Sequence, residues 1–79
     1  MQTRMILFPE SVLELALSDA NQPPGQCGGQ QTNTTCVWVR QGGGEWVRTS
    51  YRSMHKAERA IEDAKTLQTA IERLQGGGP

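Results

Sequence analysis

Seventy-nine residues with eight basic and eight acidic side chains make a formally neutral chain, long enough for one domain and not for two. Zero net charge lacks the basic excess of nucleic-acid binders, and the longest apolar run, residues 5–8, is far too short to cross a membrane. Twenty large apolar side chains make a thin core for a domain that buries only about 60% of its unfolded surface, so a disulfide, a metal or a second subunit is the usual supplement.

The first segment, MQTRMILF, reads as a short strand. Pro9 interrupts it, because its ring fixes φ and removes a donor. In SVLELALSDAN, residues 11–21, Ser11 and Glu14 have the spacing of a capping box, and Leu and Ala are good helix formers. A short N-terminal helix is predicted, with Val12, Leu13, Ala16, Leu17 and Ala20 on one face. Leu13, Leu15 and Leu17 also alternate, the pattern of a strand; cap and propensity favour the helix.

Residues 22–35, QPPGQCGGQQTNTT, are almost free of apolar side chains and predict a flexible loop. Loops of this length in small domains tend to be functional or disordered. Cys27 and Cys36 bracket part of it. A disulfide between them is one reading. The segment MQTRMILF lacks the apolar run of a signal peptide, which predicts a cytoplasmic chain whose thiols stay reduced.

TCVWVRQGGGEWVRTSY, residues 35–51, predicts a β-hairpin, with strand formers on either side of glycines suited to the turn. If Val39 pairs with Val47, then Val37, Val39, Val47, Thr49 and Tyr51 share one face, and Trp38, Arg40, Trp46 and Arg48 share the other. A slip of one residue would mix valine and arginine on both faces.

The last segment carries the clearest periodicity. Ser53 is a good N-cap. Met54, Ala57, Ile61, Ala64, Leu67, Ile71 and Leu74 recur at helical steps and predict one long amphipathic helix, with Arg59 and Asp63 spaced as an i,i+4 pair. The glycines and proline of residues 76–79 stop it and predict a frayed tail.

No catalytic constellation emerges. His55 reads as a solvated histidine in the first helical turn, although a thiol nearby in space would make it a candidate base. Three soft ligands without C-x-x-C or H-x-x-x-H spacing do not make a structural zinc site. The glycine runs lack the Lys-Ser/Thr of a phosphate loop. Neither a metal, a cofactor nor an enzymatic activity is predicted.

Two resemblances add to this reading. YRSMHKAERAIEDA, from Tyr51 onward, resembles the last helix of double-stranded RNA-binding domains. Ser53 and Ala57 match by spacing and Ala60 and Ile61 match apolar positions, while Met54 and His55 stand where that family places phosphate-gripping lysines. This resemblance implies an αβββα fold and RNA binding. GGGEWVRTSYRSMHKAERAI is similar to small strand–strand–helix proteins of bacteriophages and mobile elements, anti-CRISPR proteins among them, which implies inhibition of a host machine by covering a surface.

The sequence therefore predicts a single α+β domain over residues 1–79: a small antiparallel sheet against a long C-terminal helix, with a short N-terminal helix, ordered αββα or βαββα. The predicted function is a non-enzymatic protein-binding module, a phage-type inhibitor or regulator docking on a host protein complex. Trp38, Arg40, Trp46, Arg48 and Arg52 are the predicted partner-binding residues, since Trp and Arg are enriched among binding hot spots. Apolar surface left uncovered by one hairpin predicts a homodimer. The alternative function is nucleic-acid binding through Arg40, Arg48, Arg52, Lys56 and Arg59.

Overall fold

The structure, a computed structural model, describes residues 3–25 and 34–76. Four strands precede two helices: β1 Thr3–Leu7, β2 Val12–Asp19, β3 Thr35–Gln41, β4 Val47–Arg48, α1 Met54–Ala60 and α2 Leu67–Gly76. The strands form one antiparallel sheet in the order β1-β2-β3-β4. Both helices pack on the same face of it. The α+β class is as predicted; the ββββαα order is neither αββα, βαββα nor αβββα.

Residues 12–19 are the central strand β2, not the predicted N-terminal helix. A helix would have placed Leu15 off the face shared by Leu13 and Leu17. As a strand, the segment aims all three leucines at the helices, with Leu13 and Leu15 both 0% exposed. Each such burial contributes about 1.5–3 kcal/mol, whereas helix propensities differ by tenths of that per residue. Tertiary pairing adds to this, since β2 bonds to β1 on one edge and β3 on the other. Ser11 serves the β1–β2 turn instead of a helix cap: its carbonyl accepts from the Phe8 N–H at 3.0 Å, with Pro9 inside the turn.

The hairpin register is the one predicted, with Val39 opposite Val47 and Trp38 opposite Arg48. Gly42 and Gly43 have φ of +51° and +85°, values that residues with a Cβ rarely adopt. The Gly44 N–H closes this turn on the Gln41 carbonyl at 2.8 Å. β4 is only two residues long, but Thr49 extends its hold on β3. The Thr49 N–H and hydroxyl both donate to the Val37 carbonyl, at 3.0 and 2.7 Å. The Val37 N–H donates in turn to the Tyr51 carbonyl at 2.8 Å. Of the valines predicted to share a face, Val37 and Val39 are buried, and Val47 is 43% exposed.

The predicted long helix is broken into α1 and α2. A continuous helix over residues 54–76 would run about 34 Å, against roughly 26 Å for the eight residues of β2, and its end would overhang the sheet. The break returns Leu67, Ala70 and Leu74 to the core alongside Met54, Ala57 and Ile61. Ser53 caps α1 as predicted, its Oγ accepting from the Lys56 N–H. Thr66 caps α2, its Oγ1 accepting from the Thr69 N–H at 3.2 Å. Asp63, in the break, pairs with Arg73 of α2 and not with Arg59. That hydrogen bond, with the arginine's charge, holds the Asp63 carboxyl below the usual carboxylate range. Arg4 of β1 reaches Glu58 of α1 at 2.9 Å and ties the outermost strand to the helical layer.

The helical stripe is thus buried against four strands, not against one thin hairpin. Among the described residues the large exposed apolar side chain left on this side is Val47, while the two most exposed, Met5 and Leu7, lie on the opposite face of the sheet.

Candidate interaction surface

Strand pairing sorts the side chains strictly. Directly opposed residues share a face, so Ile6, Leu13, Leu15, Leu17, Val37 and Val39 point toward the helices. Met5, Leu7, Val12, Glu14, Ala16, Trp38, Arg40 and Arg48 point the other way. No helix or second sheet of the described residues covers that outer face.

Its centre is built from charge and aromatic side chains. Glu14 and Arg40 face each other across β2 and β3 and form an ion pair at 2.7 Å. Both are well shielded, at 19% and 29% side-chain exposure. The Arg40 guanidinium also lies over the Trp46 ring, 4.4 Å from its centroid. The glycine turn makes this possible by bringing Trp46 back beneath Arg40. The trio therefore presents a flat, pre-ordered surface whose arginine is held in place on two sides.

Toward β1 the face becomes apolar. Met5 is 66% exposed and Leu7 85%, the two most exposed large hydrophobic side chains among the described residues. Leu7 stands opposite half-buried Val12, and Met5 opposite Glu14. β1 is also an edge strand of five residues, and an edge leaves a row of backbone donors and acceptors open to pairing.

The predicted partner-binding residues divide. Arg40 and Trp46 belong to the outer face and are half-buried. Trp38 belongs to the same face but is only 8% exposed. Its indole N–H donates to the Asp19 carbonyl at 3.1 Å, and its pairing partner Arg48 donates from Nη1 to the Ala20 carbonyl at 2.8 Å. Trp38 therefore anchors the turn after β2 in a second, smaller packing centre above Ala16, and its side chain is withdrawn from any partner. Arg48 and Arg52 are exposed and line a groove at the end of the sheet, away from Arg40 and Trp46. Met5, Leu7 and Glu14 were not singled out from sequence. Their alternation in MILF and VLE was visible, but which face the helices would cover was not.

Cys36 carries a free, buried thiol; Cys27 lies outside the described residues, as do residues 26–33 of the predicted loop and 77–79 of the predicted tail. His55 is exposed and lines a shallow groove with Glu58, Arg59 and Glu62, a groove that Cys36 does not reach. Among the described residues no cluster of three or more His, Cys, Asp and Glu side chains could hold a metal ion. No helix of the described residues is long and apolar enough to cross a membrane. No protein-family model, curated protein or solved structure matches the chain.

Proposed function

We propose that this protein is a non-enzymatic binding module, a small inhibitor or regulator that acts by laying the outer face of its sheet on a larger protein. The observation that carries the reading is the combination of the most exposed large hydrophobic side chains among the described residues, Met5 and Leu7, with a pre-ordered Glu14–Arg40–Trp46 cluster on the same face, which no helix of the described residues covers. An apolar patch rimmed by fixed polar groups is the usual composition of a protein interface. Arg and Trp, which stand beside this patch, are among the side chains that most often dominate binding energy. Occupation of a host protein's surface, as in the phage-borne inhibitors the sequence resembles, asks nothing more of the chain than this surface.

The basic residues of the nucleic-acid alternative are divided between the two sides of the molecule. Arg40 and Arg48 belong to the outer face, while Lys56 and Arg59 lie on α1, in the layer packed on the inner face. Arg40 is neutralised by Glu14. This division speaks for the protein-binding reading over a continuous phosphate-tracking row of the kind that salt-sensitive nucleic-acid binding uses.

The test is affinity capture from a bacterial lysate with the wild type and with Met5→Lys/Leu7→Lys. Exposed substitutions usually change stability by no more than about 0.5 kcal/mol, and lysine suits an edge strand, so the double variant is expected to keep its circular dichroism and thermal midpoint. Loss of a protein captured by the wild type is the expected result; undiminished capture refutes the reading. Light scattering of the purified chain distinguishes a heterologous partner from a second copy on the same face.

A further inference from the structure

The distribution of charge at the far end of the sheet carries a separate inference. In a formally neutral chain, one groove of about 430 Å³ lies between the turn after β2 and the segment leading from β4 to α1, and its described lining includes Arg48 and Arg52 but no carboxylate. The sequence over 26–33 contains no acidic residue either. A groove of similar size, lined by Gln41 and α2, carries Glu10 and Glu72 instead. Neither Arg48 nor Arg52 takes part in an ion pair among the described residues.

The backbone beneath the two arginines is fixed. Residues 48–52 alternate, with Arg48, Ser50 and Arg52 exposed while Thr49 is buried and Tyr51 half-buried. Thr49 is clamped to Val37 by its N–H and its hydroxyl, and its Oγ1 also accepts from the Tyr51 N–H at 3.2 Å. Arg48 is further held by its bond to the Ala20 carbonyl, which uses one of five guanidinium donors. Arg48 and Arg52 line the same groove and stand at most about 14 Å apart along the chain, within reach of one bound group for two side chains of this length. Asn21 and Thr34 face the same groove from the other side. Two guanidinium forks with the Ser50 hydroxyl and the Asn21 side-chain amide at the same groove offer more donors than the two oxygens of a carboxylate use; they suit the three terminal oxygens of a phosphate monoester.

We propose that this groove binds a phosphate monoester group, carried either by a small phosphorylated ligand or by a phosphorylated side chain. The site lies at the end of the sheet away from the Met5, Leu7, Glu14, Arg40 and Trp46 surface, none of which lines it, and either can fail without the other.

The test is an amide NMR titration of the full chain with inorganic phosphate, a phosphoserine peptide, its unphosphorylated counterpart and acetate. Phosphate and the phosphopeptide are expected to shift the signals of Asn21, Ser50 and Arg52, and acetate and the plain peptide to leave them in place. Tighter binding of the peptide than of phosphate identifies a phosphorylated side chain as the source, and equal binding identifies a small ligand. Affinity for the phosphopeptide should rise between pH 5.5 and 7.5 as its phosphate monoester takes up its second negative charge, with a pKa of about 6. Arg52→Gln should weaken binding about tenfold or more, the loss of one charged hydrogen-bonding group, at an unchanged thermal midpoint because Arg52 is exposed. Arg52→Lys should fall between them, keeping the charge without the fork. Equal shifts with acetate, no shift with phosphate, or unchanged phosphate binding by Arg52→Gln would overturn the proposal. So would an unphosphorylated oligonucleotide-free polyanion such as polyglutamate binding this groove in preference to the phosphate probes.

Discussion

The Arg40 guanidinium lies 4.4 Å from the centroid of the Trp46 ring while its Nε donates to Glu14 Oε1 at 2.7 Å. One arginine thus joins the central strand to the hairpin loop. Because Glu14 and Arg40 are mostly shielded, a double-mutant cycle with Glu14→Gln and Arg40→Gln should give a coupling near the upper end of surface pairs, about 1 kcal/mol, and smaller in high salt. Arg40→Gln should also shift Trp46 fluorescence to the red as the ring loses its cover. Zero coupling in the cycle would mean that the trio is not a fixed unit.

Trp38 carries structural weight. Its ring is 8% exposed, and its truncation should cost about 3–5 kcal/mol. A domain of this length holds only about 4–12 kcal/mol in total. Trp38→Ala is therefore expected to leave the chain partly or wholly unfolded in denaturant titrations at 25 °C. Trp38→Phe keeps most of the volume but loses the hydrogen bond to the Asp19 carbonyl, and about 1 kcal/mol is expected for that bond. Equal stability of wild type and Trp38→Ala would place the indole on the surface.

These two tryptophans show how far the sequence could be read. Alternation in VWVRQGGGEWVR was enough to put both on one face and to give the Val39–Val47 register. It could not reveal that the Trp38 indole N–H bonds to the carbonyl of Asp19 at the end of β2, because that contact joins residues nineteen apart. At residues 12–19 helix propensity and strand alternation coexisted, and pairing of β2 on both edges decided between them. The break between α1 and α2 was hidden for a similar reason. The apolar stripe runs unbroken through Ile61, Ala64 and Leu67, and only the length of the sheet makes a straight helix unsuitable. Met5 and Leu7 became notable only once the helices were seen to occupy the other face.

Thr66 should matter more than an exposed threonine ordinarily does. Its Oγ1 accepts from the Thr69 N–H at the start of α2, and removal of such a cap costs about 1 kcal/mol. Thr66→Ala is expected to lower stability by that amount, and Thr66→Ser or Thr66→Asp to retain most of it. Chemical denaturation of the three variants checks this; an unchanged Thr66→Ala would indicate that α2 is held by its packing alone.

Asp63 should titrate below an ordinary aspartate because Arg73 hydrogen-bonds its charged form. A carboxyl whose folded pKa is depressed contributes stability above its unfolded pKa and loses it as pH falls through the folded value. The contribution of the Asp63–Arg73 pair is thus expected to be present at pH 6 and absent in strong acid. NMR titration of the Asp63 carboxyl should show a lowered midpoint that returns to the ordinary range in Arg73→Gln. An Asp63 midpoint unmoved by that substitution would contradict the pairing.

The outer face as the docking surface is tested most directly by site-specific photo-crosslinking in a bacterial lysate. A photoreactive side chain at Leu7 samples the outer face, and one at Glu62, exposed beyond the end of α1, samples the helical side. A discrete protein adduct from position 7, absent from position 62 and abolished by Met5→Lys, is the expected result. An adduct from position 62 alone, or none from position 7, would contradict the assignment of this face as the binding surface.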